Sequence, residues 1–407
     1  MQHNPTGRAR LGLALLLGML AVLGPLNIDM YLPAFPDIAA DLDASASRVQ
    51  LSLTTCLVGL AVGQVVVGPI SDARGRRGPL IVSLLLFVLA SLLCALAPNI
   101  AVLVAARFLQ GLTASAGIVL SRAVVRDVFD GTELTRFFAL LMVINAVAPL
   151  AAPIAGGAIL WPSFAGWEAV FLALAVLGAV IVLVVALRLE ETLPVERRIP
   201  GTVGGTLRAV GALLRDRSFL GYALVVGFVH GGSFAYVAGT PFVYQELHGV
   251  SPQVFGALFG VNGAAIIAGS WAVGRFSARF GERTLLVCAV VTAVAATGVL
   301  FAATLLDGPL VALVVPIFVY MTCMGVILTS SFALAMRGQE GRAGSASAVL
   351  GALSPLFGAV VAPLVGLDES TAVPMGVALF GTSLLGLVVL LTLTSPRVRA
   401  EATDPAR

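Results

Sequence analysis

Apolar residues fill this chain in long unbroken runs, without the alternation or single-faced stripe of a soluble fold. Twelve runs can be marked, over residues 11–33, 48–70, 79–97, 101–122, 136–160, 167–189, 218–243, 253–275, 284–304, 310–334, 344–366 and 373–394. Each is roughly 18–25 residues long, the length a helix needs to cross a ~30 Å hydrocarbon core. Backbone groups in lipid must satisfy one another, so the runs are expected to be helices. The polar stretches between them are short except for residues 190–217. The pattern therefore predicts an all-α integral membrane protein with twelve transmembrane helices. Residues 1–189 form a first six-helix bundle, 190–217 a linker, 218–394 a second six-helix bundle and 395–407 a tail.

Composition agrees with this reading. Of 407 residues, 59% are hydrophobic and 11% charged, and the mean hydropathy is +1.02. A soluble domain carries about 25% charged residues, so this chain has too few to cover a water-facing surface. The net charge of +3 gives no footing for nucleic acid. All 24 basic residues are Arg, which reads as codon usage in a GC-rich genome. Their placement sets orientation. With an internal N-terminus, Arg8, Arg10, Arg74, Arg76, Arg77, Arg122, Arg126, Arg136, the linker arginines, Arg275, Arg279, Arg283, Arg337, Arg342 and the tail arginines gather on one side. The opposite loops hold Asp37, Asp41, Asp43, Glu246, Asp307, Asp368 and Glu369, with Arg48 as their only Arg. Both termini are expected to be cytoplasmic, in a multi-pass cell-membrane protein. Arg8 and Arg10 before an apolar run mimic a signal peptide, but no small-residue cleavage site follows, so the run is expected to stay as the first helix. Cys56, Cys94, Cys288 and Cys323 all fall in apolar stretches without metal or redox spacing and read as small buried hydrophobes.

Within the linker, Leu207, Val210, Leu213 and Leu214 with Arg208, Arg215 and Arg217 predict a short helix on the inner membrane surface, or a plain connection between halves. The halves look duplicated. Gly63, Val67, Gly68, Ser71, Gly75 and Arg77 match Gly269, Val273, Gly274, Ser277, Gly281 and Arg283 at an offset of 206. Pro33 matches Pro241 at 208, and Ala152-Pro153-x-x-Gly156 matches Ala362-Pro363-x-x-Gly366 at 210. Ordered offsets in corresponding helices point to two six-helix repeats.

Four segments carry candidate chemistry. Gly68-Pro-Ile-Ser-Asp72-Ala-Arg-Gly75-Arg76-Arg77 is a charged turn between spans two and three, with glycines that allow a tight reversal. Arg107, in Arg107-Phe-Leu-Gln110-Gly111, lies about 9 Å inside the outer end of span four at ~1.5 Å per residue. Asp29, in Asn27-Ile-Asp29-Met-Tyr31-Leu-Pro33, lies about 6 Å inside the same boundary by the same rise. Intramembrane charges are costly and are usually functional or paired. Two readings stand here: a proton that neutralises Asp29 and frees Arg107, or a static pair with Asp29 capping a helix end. Span five carries Ala148-Pro149-x3-Pro153-x2-Gly156-Gly157, suited to close packing and kinking. Asn27, Tyr31, Gln110, Asn145, His230, Tyr236 and Asn262 are candidate cavity groups, and His230 reads first as a hydrogen-bonded packing residue and second as a proton relay.

The 68–77 run resembles the loop between spans two and three of the major facilitator superfamily, with Ala73 departing where that family prefers a basic residue. The resemblance implies Asp72 at the start of span eleven, near Gly344 and Ser345, where exposed N–H groups favour an anion. It also implies Arg76 reaching Asp127, so that Gly68, Asp72, Gly75, Arg76, Arg77 and Asp127 form an inner latch. Span five resembles the antiporter motif of drug:proton exporters, with Ala148 and Ala152 where Gly is frequent. Ile28–Pro33, Arg107 through Gly111, Arg126-Asp127, Ala148 through Gly157 and Thr240–Val243 together resemble the Bcr/CflA drug-resistance branch, with Glu168 departing from the expected basic residue beside Trp167. The branch implies proton-driven export of small antimicrobials such as phenicols or bicyclomycin. Arg107 resembles the family's intramembrane Arg on that helix, and Asp29 with Arg107 is expected as the coupling pair, with no cofactor beyond the coupling proton, a small amphiphilic substrate, the lipid bilayer as surroundings and a monomer. Import of a metabolite by a symporter or facilitator is the alternative. A membrane enzyme would need acid–base or metal clusters that the spacing does not provide. A sensor would carry a soluble domain, and there is no phosphate-binding Gly-x4-Gly-Lys loop for ATP drive.

Overall fold

A computed structural model describes residues 7–394 apart from 130, 163–164, 199–210, 212, 338, 340–342 and 369. Among the described residues the chain is built from twelve long helices. They are α1 (Gly7–Asp29), α2 (Ala46–Arg74), α3 (Arg77–Ala95), α4 (Ile100–Val128), α5 (Gly131–Ile159), α6 (Glu168–Arg188), α7 (Arg217–Phe242), α8 (Pro252–Phe280), α9 (Glu282–Leu305), α10 (Leu310–Met336), α11 (Ala343–Val365) and α12 (Val373–Leu393). Ten helical segments clear the length and hydropathy needed to cross a membrane, while the apolar parts described in α5 and α11 are the shorter Val147–Ile159 and Val349–Val365. The helix expected over 207–217 falls largely outside the described residues. Two compact units divide the chain: Met1–Val203 with Ser251–Gly260, and Gly204–Val250 with Val261–Arg407.

Local chemistry sets the helix ends. Asn99 caps α4 by accepting from Val102 N at 3.0 Å, and Asp216 caps α7 by accepting from Ser218 N and Phe219 N at 3.0 and 3.1 Å. Helix α1 stops at Asp29, four residues short of the expected end. A 3-10 turn, Leu32–Ala34, contains Pro33 and leads into a seven-residue helix, Phe35–Asp41. Proline lacks the N–H that would continue the helix.

The charged run 68–77 is mostly helix rather than loop. α2 continues through Pro69 and Asp72 to Arg74, and the reversal is confined to Gly75 and Arg76. Gly75 has φ +91° and ψ 171°, and its N–H donates to Ser71 O at 3.0 Å. The second copy closes the same way, with Gly281 at φ +79° and its N–H on Ser277 O at 2.9 Å. Only glycine occupies this backbone region readily.

The two copies differ in surroundings: a Cβ on Gly75 would run into Glu191 and Arg198, whereas one on Gly281 meets nothing within 4 Å. We expect Gly75→Ala to lower stability by more than the ~1–3 kcal/mol of backbone strain alone. Gly281→Ala should cost only that strain. Thermal unfolding of the two variants side by side checks this, and equal losses would refute it.

Small residues draw paired helices together in each unit. In the first, Gly59 and Gly63 of α2 lie on the α4 backbone around Phe108 and Leu112, and Gly111 of α4 lies on Cys56. In the second, Gly269 of α8 lies on Thr322, and Gly325 of α10 lies on Ile266. Without a hydrophobic drive between helices in lipid, this backbone approach supplies the packing. Three cysteines are buried as expected, but Cys288 is exposed, because it falls on an outward face of α9.

Candidate functional site

Arg107 of α4 is completely buried, and its partners are not those its depth suggested. Nη1 donates to Asn27 Oδ1 at 2.9 Å and to Gln110 Oε1 at 2.5 Å, and Nη2 donates to Asn27 O at 2.9 Å. The guanidinium carbon lies 4.1 Å from the centre of the Tyr31 ring and 5.7 Å from that of Phe171. Only Nε lacks a hydrogen-bond partner. The planar fork explains why an Arg stands here: it grips two oxygens of Asn27 while its face lies on an aromatic ring.

The network extends through α2 and α3. Asn27 Nδ2 donates to Cys56 Sγ at 3.1 Å, Gln110 Nε2 to Ser91 Oγ at 2.8 Å, and Ser91 Oγ to Phe87 O at 2.8 Å. The Tyr31 hydroxyl lies 3.2 Å from Ser52 Oγ, which itself donates to Val49 O. A cation shut away from water is costly unless it is hydrogen-bonded, and this shell holds both terminal nitrogens of Arg107 without a carboxylate, leaving Nε as the exception.

Asp29 is also buried, at 6% exposure, yet it makes no hydrogen bond or ion pair among the described residues. The ion pair expected between Asp29 and Arg107 is therefore absent. Asn27, two residues earlier on α1, faces Arg107 instead, because a two-residue step on a helix turns the side chain to another side.

A second cluster lies at the α2–α3 reversal. Arg76 is 5% exposed. Its Nε donates to Asp127 Oδ2 at 2.7 Å, and its Nη1 to Asp72 Oδ1 at 2.5 Å and Ser71 Oγ at 2.8 Å. Burial alone would lower the Arg76 pKa, but its hydrogen bonds to the Asp127 and Asp72 carboxylates outweigh this and raise it. The Arg76–Asp127 contact lies where the sequence placed it. Gly344 and Ser345, the expected neighbours of Asp72, have side chains outside the described residues. Arg77 is exposed and donates through Nη2 to Ala186 O at 2.8 Å.

Sequence reasoning missed Glu191. Its Oε1 accepts from Arg76 N at 2.7 Å and Leu193 N at 3.0 Å, and its Oε2 from Arg77 N at 3.2 Å. Thr192 Oγ1 donates to Asp127 Oδ2 at 3.3 Å. The available signal was a Glu190-Glu191 pair on the side that collects arginines. Partial burial would raise the Glu191 pKa, and the three backbone N–H donors and Arg198 bring it below the ordinary value of 4.5. A lowered carboxylate pKa stabilises the fold above its unfolded value, and that stability is lost as pH falls through the folded value. We expect stability supplied here to be constant at neutral pH and to fall only below about pH 4.5. Glu191→Gln should lack that acid step in a pH series of melting temperatures.

The span-five motif packs through its glycines. Gly156 lies on the Met30 carbonyl and Gly157 on the Pro252 carbonyl, with Gln253 Nε2 donating to Gly157 O at 3.4 Å. Pro149 and Pro153 are inside the helix, and Ala148 and Ala152 are buried. In the second unit Asn262 Nδ2 donates to the Tyr236 hydroxyl at 3.0 Å, leaving Asn262 Oδ1 unpartnered. The His230 ring lies 5.8 Å from that of Phe234. It makes no side-chain hydrogen bond among the described residues, in place of the hydrogen-bonded packing expected. The Asn145 side chain lies outside the described residues.

The profile of the Major Facilitator Superfamily matches residues 17–363. This chain belongs to that superfamily. It is a transporter rather than an enzyme, with the multi-pass membrane helices of the family. It is 62% identical over 398 residues to an uncharacterized MFS-type transporter, YdgK, of Bacillus subtilis (strain 168), covering 98% of this chain and 99% of that one. It is 30% identical over 387 residues to a bicyclomycin resistance protein homolog of Haemophilus influenzae, covering 95% and 97%. Among solved structures, a D-xylose-proton symporter shares the fold with a TM-score of 0.75 at 13% identity, covering 95% and 98%.

Proposed function

We propose that this superfamily member is a proton-driven antiporter that exports small amphiphilic drugs, phenicol- or bicyclomycin-like, across the cytoplasmic membrane by alternating access. The observation that carries the reading is the buried Asp29 carboxyl, which no cation holds among the described residues, on the same helix as the Asn27 that binds Arg107. A carboxyl held among membrane helices without a permanent partner is free to take up and release a proton. Asp29 carries the proton, and Arg107 senses its charge through the Asn27–Tyr31 segment that both share. Asp72, Arg76 and Asp127 form the inner latch, and the prolines of α5 set the bend on which the halves rock. No second acid is as well placed within a span as Asp29, which favours a neutral amphiphile over a multiply charged cation. The protein works as a monomer with both termini in the cytoplasm. Resemblance to the bicyclomycin resistance homolog supports the direction of transport.

Expression in a drug-sensitive host tests the reading. Export raises resistance to chloramphenicol or bicyclomycin and lowers cell accumulation. Raised accumulation of a metabolite with unchanged resistance would replace export by import.

A further inference from the structure

We propose that Glu191 is the positioning residue of the inner gate: its carboxylate clamps the α2–α3 reversal so that Arg76 points at Asp127. This inference rests on the gate reading above. The chain leaving α6 turns back under α3, and Glu191 takes the backbone N–H groups of Arg76 and Arg77, at the start of that helix, on separate oxygens. Helix N-termini leave such N–H groups unpaired and favour an anion. Here the anion comes from 114 residues further along the sequence. The next residue, Thr192, donates to the same Asp127 oxygen that Arg76 holds. The first residues beyond the six-helix bundle are thus bound to both partners of the ion pair.

The second copy of the turn is an internal control. Gly281 adopts a similar backbone and makes the same N–H bond to the fourth residue back, with no side chain within 4 Å of its added Cβ position. Among the described residues no side chain is placed over this reversal as Glu191 is over the first. The charges differ as well. Position 282, matching Arg76 at the 206-residue offset, is Glu, and it accepts from Arg337 at 2.6 Å. Arg337 matches Asp127 at the 210-residue offset. An ion pair stands at this place in both units with its polarity reversed, and among the described residues only the pair built on Arg76 has a carboxylate on the adjoining backbone N–H groups. The clamp accompanies Arg76, as a positioning role toward that side chain requires.

Hydrogen exchange on the purified full-length protein tests this. In Glu191→Ala the amides of Arg76 and Arg77 should exchange roughly tenfold faster or more, the loss of hydrogen bonds to a charged acceptor. Glu191→Gln, which keeps the shape, should fall between and serves if the Ala variant does not fold. Arg76→Ala keeps its own N–H, so protection at 76 and 77 should remain. A structural cap alone would add to other losses. A positioning residue should couple, so the melting shift of Glu191→Ala in an Asp127→Asn background should be less than roughly half that in the wild type. Unchanged exchange in both Glu191 variants, or additive melting shifts, overturns the proposal. The gate reading fails separately, if Arg76→Ala leaves chloramphenicol-evoked proton movement in vesicles intact. That result would leave the clamp to stand on exchange and coupling.

Discussion

Asp29→Asn is expected to abolish chloramphenicol-evoked proton movement in inverted vesicles while leaving the protein folded. The substitution removes the exchangeable proton and almost nothing else. Asn is nearly isosteric with Asp, and the native carboxyl makes no hydrogen bond or ion pair that the amide would break. Burial of an amide at this site is no harder than burial of a carboxyl, so melting should shift by less than about 1 kcal/mol, the usual limit for a change that creates no cavity or orphaned charge. Coupled flux should fall by more than tenfold, because a proton-coupled step without its carrier group has no substitute route. Passive exchange of drug down its own gradient should persist. Persistence of the proton signal would remove Asp29 from the mechanism. Loss of both coupled and passive drug movement would make it a structural or substrate-contacting residue.

Arg107→Ala has the largest effect on the fold itself. Removing the guanidinium leaves Asn27 Oδ1 and Asn27 O without their donor, and Gln110 Oε1 with only the weak Cys94 thiol at 3.5 Å, in a fully buried place. Each orphaned acceptor costs about 1–3 kcal/mol, and the vacated side-chain volume adds a cavity term. Together they approach the whole stability of an ordinary domain, about 5–15 kcal/mol. We expect little folded protein. Arg107→Lys separates charge from geometry. An ammonium keeps the charge but cannot span both Asn27 oxygens while lying flat on Tyr31. It should fold with a lowered melting temperature and lose most coupled transport. Lys at full activity would show that the charge alone matters and that the Asn27 grip is incidental. Asn27→Ala, which removes one acceptor and leaves the cation, should resemble the Lys variant more than the Ala variant.

These two residues also mark how far the sequence could be read. Both were legible as exceptions, since a charged residue inside an apolar run has to be accounted for. Their relation was not. Counting rise along two helices gave matching depths but carried no information on rotation about each axis. Rotation decides that Asn27 rather than Asp29 faces α4. The same holds for Tyr31, whose ring became a platform for Arg107 because α1 breaks before Pro33 and turns it inward. Ser91, Cys56 and Ser52 carried no periodic or motif signal and entered the network only through packing.

The charged run 68–77 teaches a related lesson. Its glycines and charges could be read from the residues, and the reach of Arg76 to Asp127 came from the family resemblance they carry. That most of it is helix could not, since a proline and an acid within it weakened the helical pattern. Tertiary packing tolerates Pro69 in a membrane helix because neighbours supply what its backbone lacks.

The sequence by itself determined that this protein is a membrane-embedded bundle of helices, with Asp29 and Arg107 as charged exceptions inside its apolar runs. Those properties follow from solvation. Long apolar runs cannot remain in water, lipid forces their backbones into helices, and arginine is costly to carry across. Only the tertiary structure decided which polar groups meet: Asn27 on Arg107, Glu191 under Gly75, Glu282 on Arg337. Hydrogen bonds and ion pairs depend on ångström distances and on the rotation of each helix. Those are set by the close packing of glycines and side chains far apart in the chain, not by the local pattern that makes each helix.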